Sequence, residues 1–93
     1  MARKKFASVW DALEDTVVEA ANMRARSELM IALRTKIESW KVSQTEAARR
    51  LGLTQPRLND LMRGRIDKFS LDALINLAAQ AGLAVRLKIG KAA

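Results

Sequence analysis

The chain has 93 residues and a formal net charge of +7, and 49 % of its residues are hydrophobic. This length corresponds to one domain with a packed core, although a domain this small leaves roughly a third or more of its unfolded surface exposed, so its stability can depend on a partner subunit. The absence of Cys and His excludes disulfides and zinc fingers and removes the usual catalytic base. We therefore expect a protein that is not an enzyme and that holds no metal or cofactor.

The sequence also predicts a protein that lies outside membranes. No apolar run approaches the length of about 18 residues that indicates a transmembrane helix. The basic N-terminus, MARKKF, is not followed by the apolar stretch of a secretory signal. We expect a cytoplasmic protein.

Charge is distributed unevenly along the chain. Residues 1–5 include three basic residues and no acid, and residues 6–20 include four acids and no base. Residues 43–68 include six bases against three acids. A basic cluster is compatible with an ordinary solvated face or with a surface that binds phosphates, and charge alone does not decide between them.

The first predicted elements are helical. Ser8 can cap a short helix over residues 9–13. Thr16, with Glu19 three residues later, can cap a second helix that runs to about Trp40. We expect residues 1–25 to form an N-terminal extension.

The long helix is indicated by apolar residues spaced three or four apart. They are Val18, Ala21, Ala25, Leu29, Leu33, Ile37 and Trp40. Met23 and Met30 lie off this stripe. Methionine adapts to irregular gaps, so these two are interpreted as core fillers, with a contact surface for a second copy or another protein as the alternative.

Two short helices joined by a glycine turn are predicted over residues 43–64. Ser43 can cap the first helix, and Gly52 lies where a left-handed residue would end it. Thr54 can cap the second helix, with Pro56 in the first turn, where a missing N–H costs little. Gly64 ends this helix.

This pair has the pattern of a helix-turn-helix, in which the second helix enters the major groove of DNA. Ala48 is small enough for the two helices to pack closely, and Leu58 and Leu61 form an apolar back on the second helix. Its front is polar and consists of Gln55, Arg57, Asn59 and Asp60. The mutual spacing of these features predicts a DNA-binding motif over residues 44–63.

The C-terminal part contains one more helix and a predicted strand. Residues 65–69 form a loop, and Ser70 caps a helix that ends at Gly82. Apolar and polar residues alternate over residues 83–89, which indicates a half-buried strand. Its partner could be the segment around Phe6, a strand of another protein or the same strand of a second copy, which we favour.

The run SQTEAARRLGLTQPRLNDLMRG and the following SLDALINLAAQAG resemble the Cro/phage-repressor type of regulator, the XRE family. The resemblance covers about residues 26–82 and implies a mainly α fold, a five-helix lambda-repressor-like DNA-binding domain. The segments SVWDAL, AANMRARSELM, TQPRLNDLMRG and DKFSLDAL are similar to small HigA-like antitoxins and their stand-alone regulator relatives. That likeness implies an N-terminal helical extension over residues 1–25 and one C-terminal β-strand with its tail over residues 83–93.

The resemblance also implies which residues touch DNA. Base contacts are expected from the front of the second motif helix, at Gln55, Pro56, Arg57, Asn59 and Asp60. Phosphate contacts are expected at Gln44, Thr54, Arg63, Arg65 and Lys68. Pro56 departs from the polar residue usual in the family, so it can at best touch a thymine methyl.

The chemistry of these side chains agrees in outline. Gln55 can hold adenine through N6 and N7, and Arg57 can hold guanine through O6 and N7. Asp60 can accept from cytosine N4 or orient a neighbouring arginine. The alternative for each is a solvated surface residue, and for Arg49 and Arg50 that alternative is slightly favoured.

The sequence therefore predicts a homodimeric, sequence-specific repressor of its own operon. Its target would be double-stranded DNA with a near-palindromic operator whose half-sites lie about 34 Å apart. The alternative is an antitoxin whose main role is to bind and neutralise a toxin protein. A nucleic-acid enzyme is disfavoured, because Asp11, Glu14 and Asp15 fit the first turn of a helix better than a metal cluster.

Overall fold

The structure is a computed structural model that describes residues 9–91 and, among them, the side chains of residues 16–91. It contains four α-helices and one 3-10 turn in this range. They are α1 (Val9–Trp40), α2 (Gln44–Leu51), α3 (Gln55–Met62), the 3-10 turn (Ile66–Lys68) and α4 (Leu71–Gln80). No helix in the described part of the chain is long and apolar enough to cross a membrane.

The N-terminal region is one continuous helix, so the predicted break between residue 13 and Thr16 is wrong. α1 has 32 residues and is about 48 Å long at the usual rise per residue. Its sequence contains no Gly or Pro, and a β-branched Thr inside a helix costs only a few tenths of a kcal/mol. Thr16 therefore lies within the helix instead of capping a new one, and the proposed cap Ser8 lies outside the described residues.

Only the C-terminal half of α1 reaches the core. Met30, Leu33 and Ile37 are buried, whereas all residues from 16 to 24 are exposed. Val18 was expected on the buried stripe, but its exposed fraction is 66 %. The apolar periodicity of α1 is therefore satisfied by packing at one end only.

The starts of α2, α3 and α4 are capped as predicted. The hydroxyl of Ser43 accepts the N–H of Glu46 at 3.1 Å, and Thr54 accepts the N–H of Arg57 at 3.3 Å. The hydroxyl of Ser70 caps α4 in the same way. These bonds satisfy helix N–H groups that have no partner within the helix.

Gly52 ends α2 as the sequence predicted. It has φ +67° and ψ +31°, which is the left-handed region. The N–H of Gly52 donates to the Arg49 carbonyl and the N–H of Leu53 donates to the Ala48 carbonyl at 2.9 Å, which together form a Schellman motif. This turn sets the angle between α2 and α3.

The core lies where α1, α3 and α4 meet. Its fully buried large side chains are Leu33, Leu58, Leu61, Phe69 and Leu74. α4 packs along the C-terminal half of α1, and α2 packs against α3 and α4. The second motif helix is thus held from behind by apolar residues of three other elements.

The predicted five helices and C-terminal strand are both wrong. Residues 26–82 contain four α-helices, since the segment between α3 and α4 forms only a 3-10 turn, and no strand occurs between residues 9 and 91. Residues 83–89 alternate as a strand would, but no other segment between residues 9 and 91 pairs with them to form a ladder. Without a ladder, local alternation does not make a strand, and Leu87 and Ile89 are 81 % and 86 % exposed.

Candidate nucleic-acid interface

The side chains that pack α2 against α3 form the apolar side of the predicted motif. Ala47, Ala48 and Leu51 of α2 and Leu58 and Leu61 of α3 are all buried. The small side chain of Ala48 allows the close approach that its position predicted. Because the back of α3 is fixed in this way, its opposite face is presented to solvent.

The exposed face of α3 contains three of the five expected base-contact residues. Gln55, Pro56 and Asn59 are exposed, whereas Arg57 and Asp60 are half-buried. Pro56 lies in the first turn of the helix, where its missing N–H breaks no intrahelical bond. This exposed face therefore presents the amide of Gln55, the apolar ring of Pro56 and the amide of Asn59.

The side chain of Gln55 connects the two motif helices. Its Nε2 donates to the hydroxyl Oγ1 of Thr45 in the first turn of α2, at 2.5 Å. A glutamine amide has a second N–H and an oxygen, so Gln55 retains the donor and acceptor needed for an adenine. The bond to Thr45 fixes the orientation of the amide before any ligand arrives.

Arg57 points away from this face toward the loop that follows α3. Its Nη1 donates to the carbonyl oxygen of Lys68 at 2.6 Å. Its guanidinium carbon lies 4.0 Å from the centre of the Phe69 ring. The structure thus places Arg57 in contact with residues 68 and 69 and not beside Gln55.

A second arginine, from another helix, binds the same loop. Nη1 of Arg26, in α1, donates to the carbonyl of Ile66 at 3.1 Å and to that of Phe69 at 3.4 Å. Its Nε is held by Asn22 Oδ1 at 2.7 Å. Sequence reasoning missed Arg26 because this contact spans about 40 residues and has no local signature.

The expected phosphate-contact residues are all exposed. Gln44 and Thr54 lie at the starts of α2 and α3, and Arg63, Arg65 and Lys68 follow the end of α3. The start of a helix presents unpaired N–H groups, which favour anions. The Thr54 hydroxyl accepts one of these N–H groups and can still donate its own proton.

Arg49 and Arg50 are engaged by an acid of the same helix. Arg49 binds both carboxylate oxygens of Glu46, at 2.9 and 2.6 Å, and Arg50 Nε donates to Oε2 at 3.0 Å. The hydrogen bond from Arg49, followed by that from Arg50, lowers the pKa of Glu46 to about 2. Arg50 also stacks on Trp40, with 5.0 Å between the guanidinium carbon and the ring centre. This pairing favours the solvated role over a phosphate contact.

Fold and surface together define a helix-turn-helix protein, and comparison with known proteins agrees. Residues 12–90 match a family described as a helix-turn-helix domain, and the chain belongs to that family. A solved structure named as an XRE family transcriptional regulator is similar to this chain, with 30 % sequence identity and a TM-score of 0.72. The match covers 80 % of this chain and 83 % of the other. The resemblance to XRE-type DNA-binding regulators is thereby confirmed. Among curated proteins, none matches the chain.

Proposed function

We propose that this protein is a sequence-specific repressor that binds DNA upstream of its own gene. The main support is the exposed face of α3, which lies between polar residues at the helix starts and basic residues at the helix end. Gln55 and Asn59 supply amides that match the edge of adenine, and Pro56 supplies an apolar contact for a thymine methyl. Asp60, which is half-buried, remains a candidate acceptor for cytosine N4.

The proposed phosphate contacts position this face on the duplex. Gln44 and Thr54 hold one side, and Arg63, Arg65 and Lys68 hold the other. Such contacts set register without reading sequence, so they supply affinity common to all DNA. Discrimination between sequences then comes from the α3 face.

We also propose that two copies act together on a near-palindromic operator. A two-fold dimer places two recognition helices in successive major grooves, about 34 Å apart. The C-terminal segment is the proposed contact, because Leu87 and Ile89 are apolar side chains that are 81 % and 86 % exposed. Packing of this segment against a second copy would remove both side chains from solvent.

Fluorescence anisotropy with a labelled duplex from upstream of the gene tests the repressor proposal. We expect the wild-type protein to bind this duplex more tightly than a scrambled one at moderate salt. Asn59→Ala should lose roughly 1–3 kcal/mol of binding free energy to the operator. The matched control is Asn76→Ala, at an exposed asparagine of α4, which should bind like wild type. Equal affinity of the wild-type protein for both duplexes would refute a sequence-specific repressor.

A second candidate function is the neutralisation of a toxin protein. The observation that favours it is the exposed N-terminal half of α1, where Val17 and Val18 are each 66 % exposed and Met23 is 45 % exposed. Co-expression with the product of the neighbouring gene tests it. Val17→Ser with Val18→Ser should abolish co-purification if this face binds that product, whereas retention by the double variant would exclude the face.

A further inference from the structure

We infer that Arg57 is a positioning residue of the DNA-binding surface, which holds the loop 65–69 against α3 and does not read a base. This inference rests on the proposed function and departs from the guanine contact expected from the sequence. It assigns Arg57 to the construction of the phosphate-binding loop. The reading of bases is left to the other candidates on α3, Gln55, Pro56, Asn59 and Asp60.

The first support is that Arg57 makes two contacts with the loop, one hydrogen bond and one ring contact. Its charge-assisted hydrogen bond to the Lys68 carbonyl is 2.6 Å long, and its guanidinium lies 4.0 Å from the centre of the Phe69 ring. Hydrogen bonds with one charged partner are shorter and stronger than neutral ones. The planar guanidinium also stacks on an aromatic face in a way that an ammonium cannot.

The second support is that the loop needs external donors. The N–H of Phe69 donates to the Ile66 carbonyl at 3.3 Å, but a 3-10 turn of three residues supplies no donor to the carbonyls that follow it. Arg26 binds the carbonyls of Ile66 and Phe69, and Arg57 binds that of Lys68 between them. Two arginines from two helices therefore fix three backbone carbonyls of one short loop.

The third support is where the loop's own side chains lie. Lys68 and Arg65 are exposed, whereas Phe69 is buried and anchors the loop in the core. The hydrogen bond to the Lys68 carbonyl sets the position of that residue relative to α3. Arg57 thereby couples the base-reading helix to the residues proposed to hold phosphates.

A base contact would require Arg57 to leave both partners. The side chain would have to give up the Lys68 carbonyl and the Phe69 ring and swing into solvent to reach a guanine. Gln55, Pro56 and Asn59 already occupy the exposed face. The geometry therefore favours a bound complex in which Arg57 stays where it is.

NMR spectroscopy of the full-length wild-type protein tests this directly. A guanidinium stacked on Phe69 has side-chain proton resonances shifted upfield by the ring current. We expect the Arg57 side-chain signals to be shifted in the free protein and to remain shifted after addition of the upstream duplex. Loss of the shift on binding would overturn the inference in favour of a DNA contact. Absence of the shift in the free protein would show that Arg57 does not stack on Phe69, and would also overturn the inference.

Binding measurements on variants separate positioning from direct contact. Arg57→Ala should weaken binding roughly tenfold for the operator and for each of its single-base-pair variants alike. A base contact would instead relax preference at one base pair. Arg57→Lys should not restore affinity, because a lysine cannot stack in the same way, whereas a phosphate contact would be largely restored by the retained charge.

A double-mutant cycle with Lys68→Ala completes the test. If Arg57 positions Lys68, removing Lys68 should cost less in the Arg57→Ala background than in the wild type. Additive effects would contradict the inference. Arg24→Ala, at an exposed arginine of α1, is the control for loss of one positive charge.

Failure of the proposed function has a different signature. A wild-type protein that binds operator and scrambled duplex equally would refute the repressor. The ring-current shift in the free protein would still decide whether Arg57 holds the loop. Circular dichroism of each variant shows whether weaker binding comes from a lost contact between Arg57 and the loop or from unfolding of the protein.

Discussion

At the residue scale, the turn between α2 and α3 depends on the backbone conformation of one glycine. Gly52 has φ +67°, and a Cβ added there would meet no atom within 4 Å. A side chain at this position would therefore cost free energy through backbone strain and not through a clash with neighbouring atoms. Asn and Gly tolerate this region, but other residues are disfavoured by roughly 1–2 kcal/mol.

We accordingly expect Gly52→Ala to lower the free energy of unfolding by about 1–2 kcal/mol. Gly90→Ala is the matched control, because Gly90 has no positive φ and its Cβ would also lie in open space. That change should alter stability by less than about 0.5 kcal/mol. Urea denaturation followed by circular dichroism measures both. Equal effects would show that the left-handed conformation does not limit the turn.

A second residue-scale prediction concerns Glu46. Its two arginine partners lower its pKa from 4.5 to about 2 in the folded protein. A carboxylate with a lowered folded-state pKa stabilises the fold above its unfolded pKa, and this contribution disappears as the pH falls toward the folded pKa. We expect wild type to be more stable than Glu46→Gln above pH 4.5, with the difference shrinking as the pH falls toward and below 2.

Thermal unfolding at a series of pH values measures that difference. Glu38→Gln, at an exposed glutamate of α1, controls for the loss of one negative charge. A difference between wild type and Glu46→Gln that does not change between pH 5 and pH 2 would contradict the assigned ion pairs.

At the element scale, α1 is packed along only part of its length, and its two sides differ sharply. Leu33 is 0 % exposed, and Ile31, two residues earlier, is 60 % exposed. We expect Leu33→Ala to destabilise the fold by about 2–5 kcal/mol, since it leaves a cavity in the core. Ile31→Ala should change stability by less than about 0.5 kcal/mol.

Chemical denaturation of the two variants tests this contrast within one helix. A large effect of Ile31→Ala would mean that this face is covered in solution, which would point to a partner on the exposed side of α1. Repeating the measurement at several protein concentrations would identify that partner as a second copy if the effect depends on concentration.

The sequence was most informative where structure is determined by a few adjacent residues. Ser43, Thr54 and Ser70 cap helices, and Gly52 ends one, because caps and turns depend on local hydrogen bonds and backbone preference. The buried side of α3 was also predicted correctly, because Leu58 and Leu61 lie three residues apart and so share one face of the helix. The helix-turn-helix could therefore be derived from residues 43–64 alone.

Sequence reasoning failed where distant contacts decide the outcome. Residues 83–89 alternate correctly, but a strand exists only when another segment pairs with it. The break expected before Thr16 followed from a capping pattern that a continuous helix overrides. Arg26 contacts a loop residue 40 positions away and Arg57 contacts one 11 positions away. No local sequence pattern predicts either contact.

At the scale of the whole molecule, α1 makes the protein elongated. The radius of gyration is 16.6 Å, whereas a compact domain of this length has about 12 Å. The longest dimension is 51 Å, close to the length of α1 itself. The exposed half of this helix and the C-terminal segment both offer apolar surface outside the core, where we propose contacts with another protein and with a second copy.

The net charge of +7 and the basic residues after α3 lead to a prediction on salt. Each copy contributes three cationic phosphate candidates, Arg63, Arg65 and Lys68. If both copies of a dimer engage, six phosphates are neutralised, and log K should fall with log salt concentration with a slope of about −5. Polar contacts from Gln44 and Thr54 release no counterions and leave the slope unchanged.

Arg65→Ala should reduce the magnitude of this slope by about 2, because one contact is lost in each copy. Arg24→Ala should leave it unchanged, since Arg24 is exposed on α1 and is not one of the proposed phosphate contacts. Anisotropy titrations across a series of salt concentrations measure all three slopes. A wild-type slope near half the expected value would indicate that one copy binds alone. An equal effect of Arg65→Ala and Arg24→Ala on the slope would show that net charge, and not the position of Arg65, determines affinity.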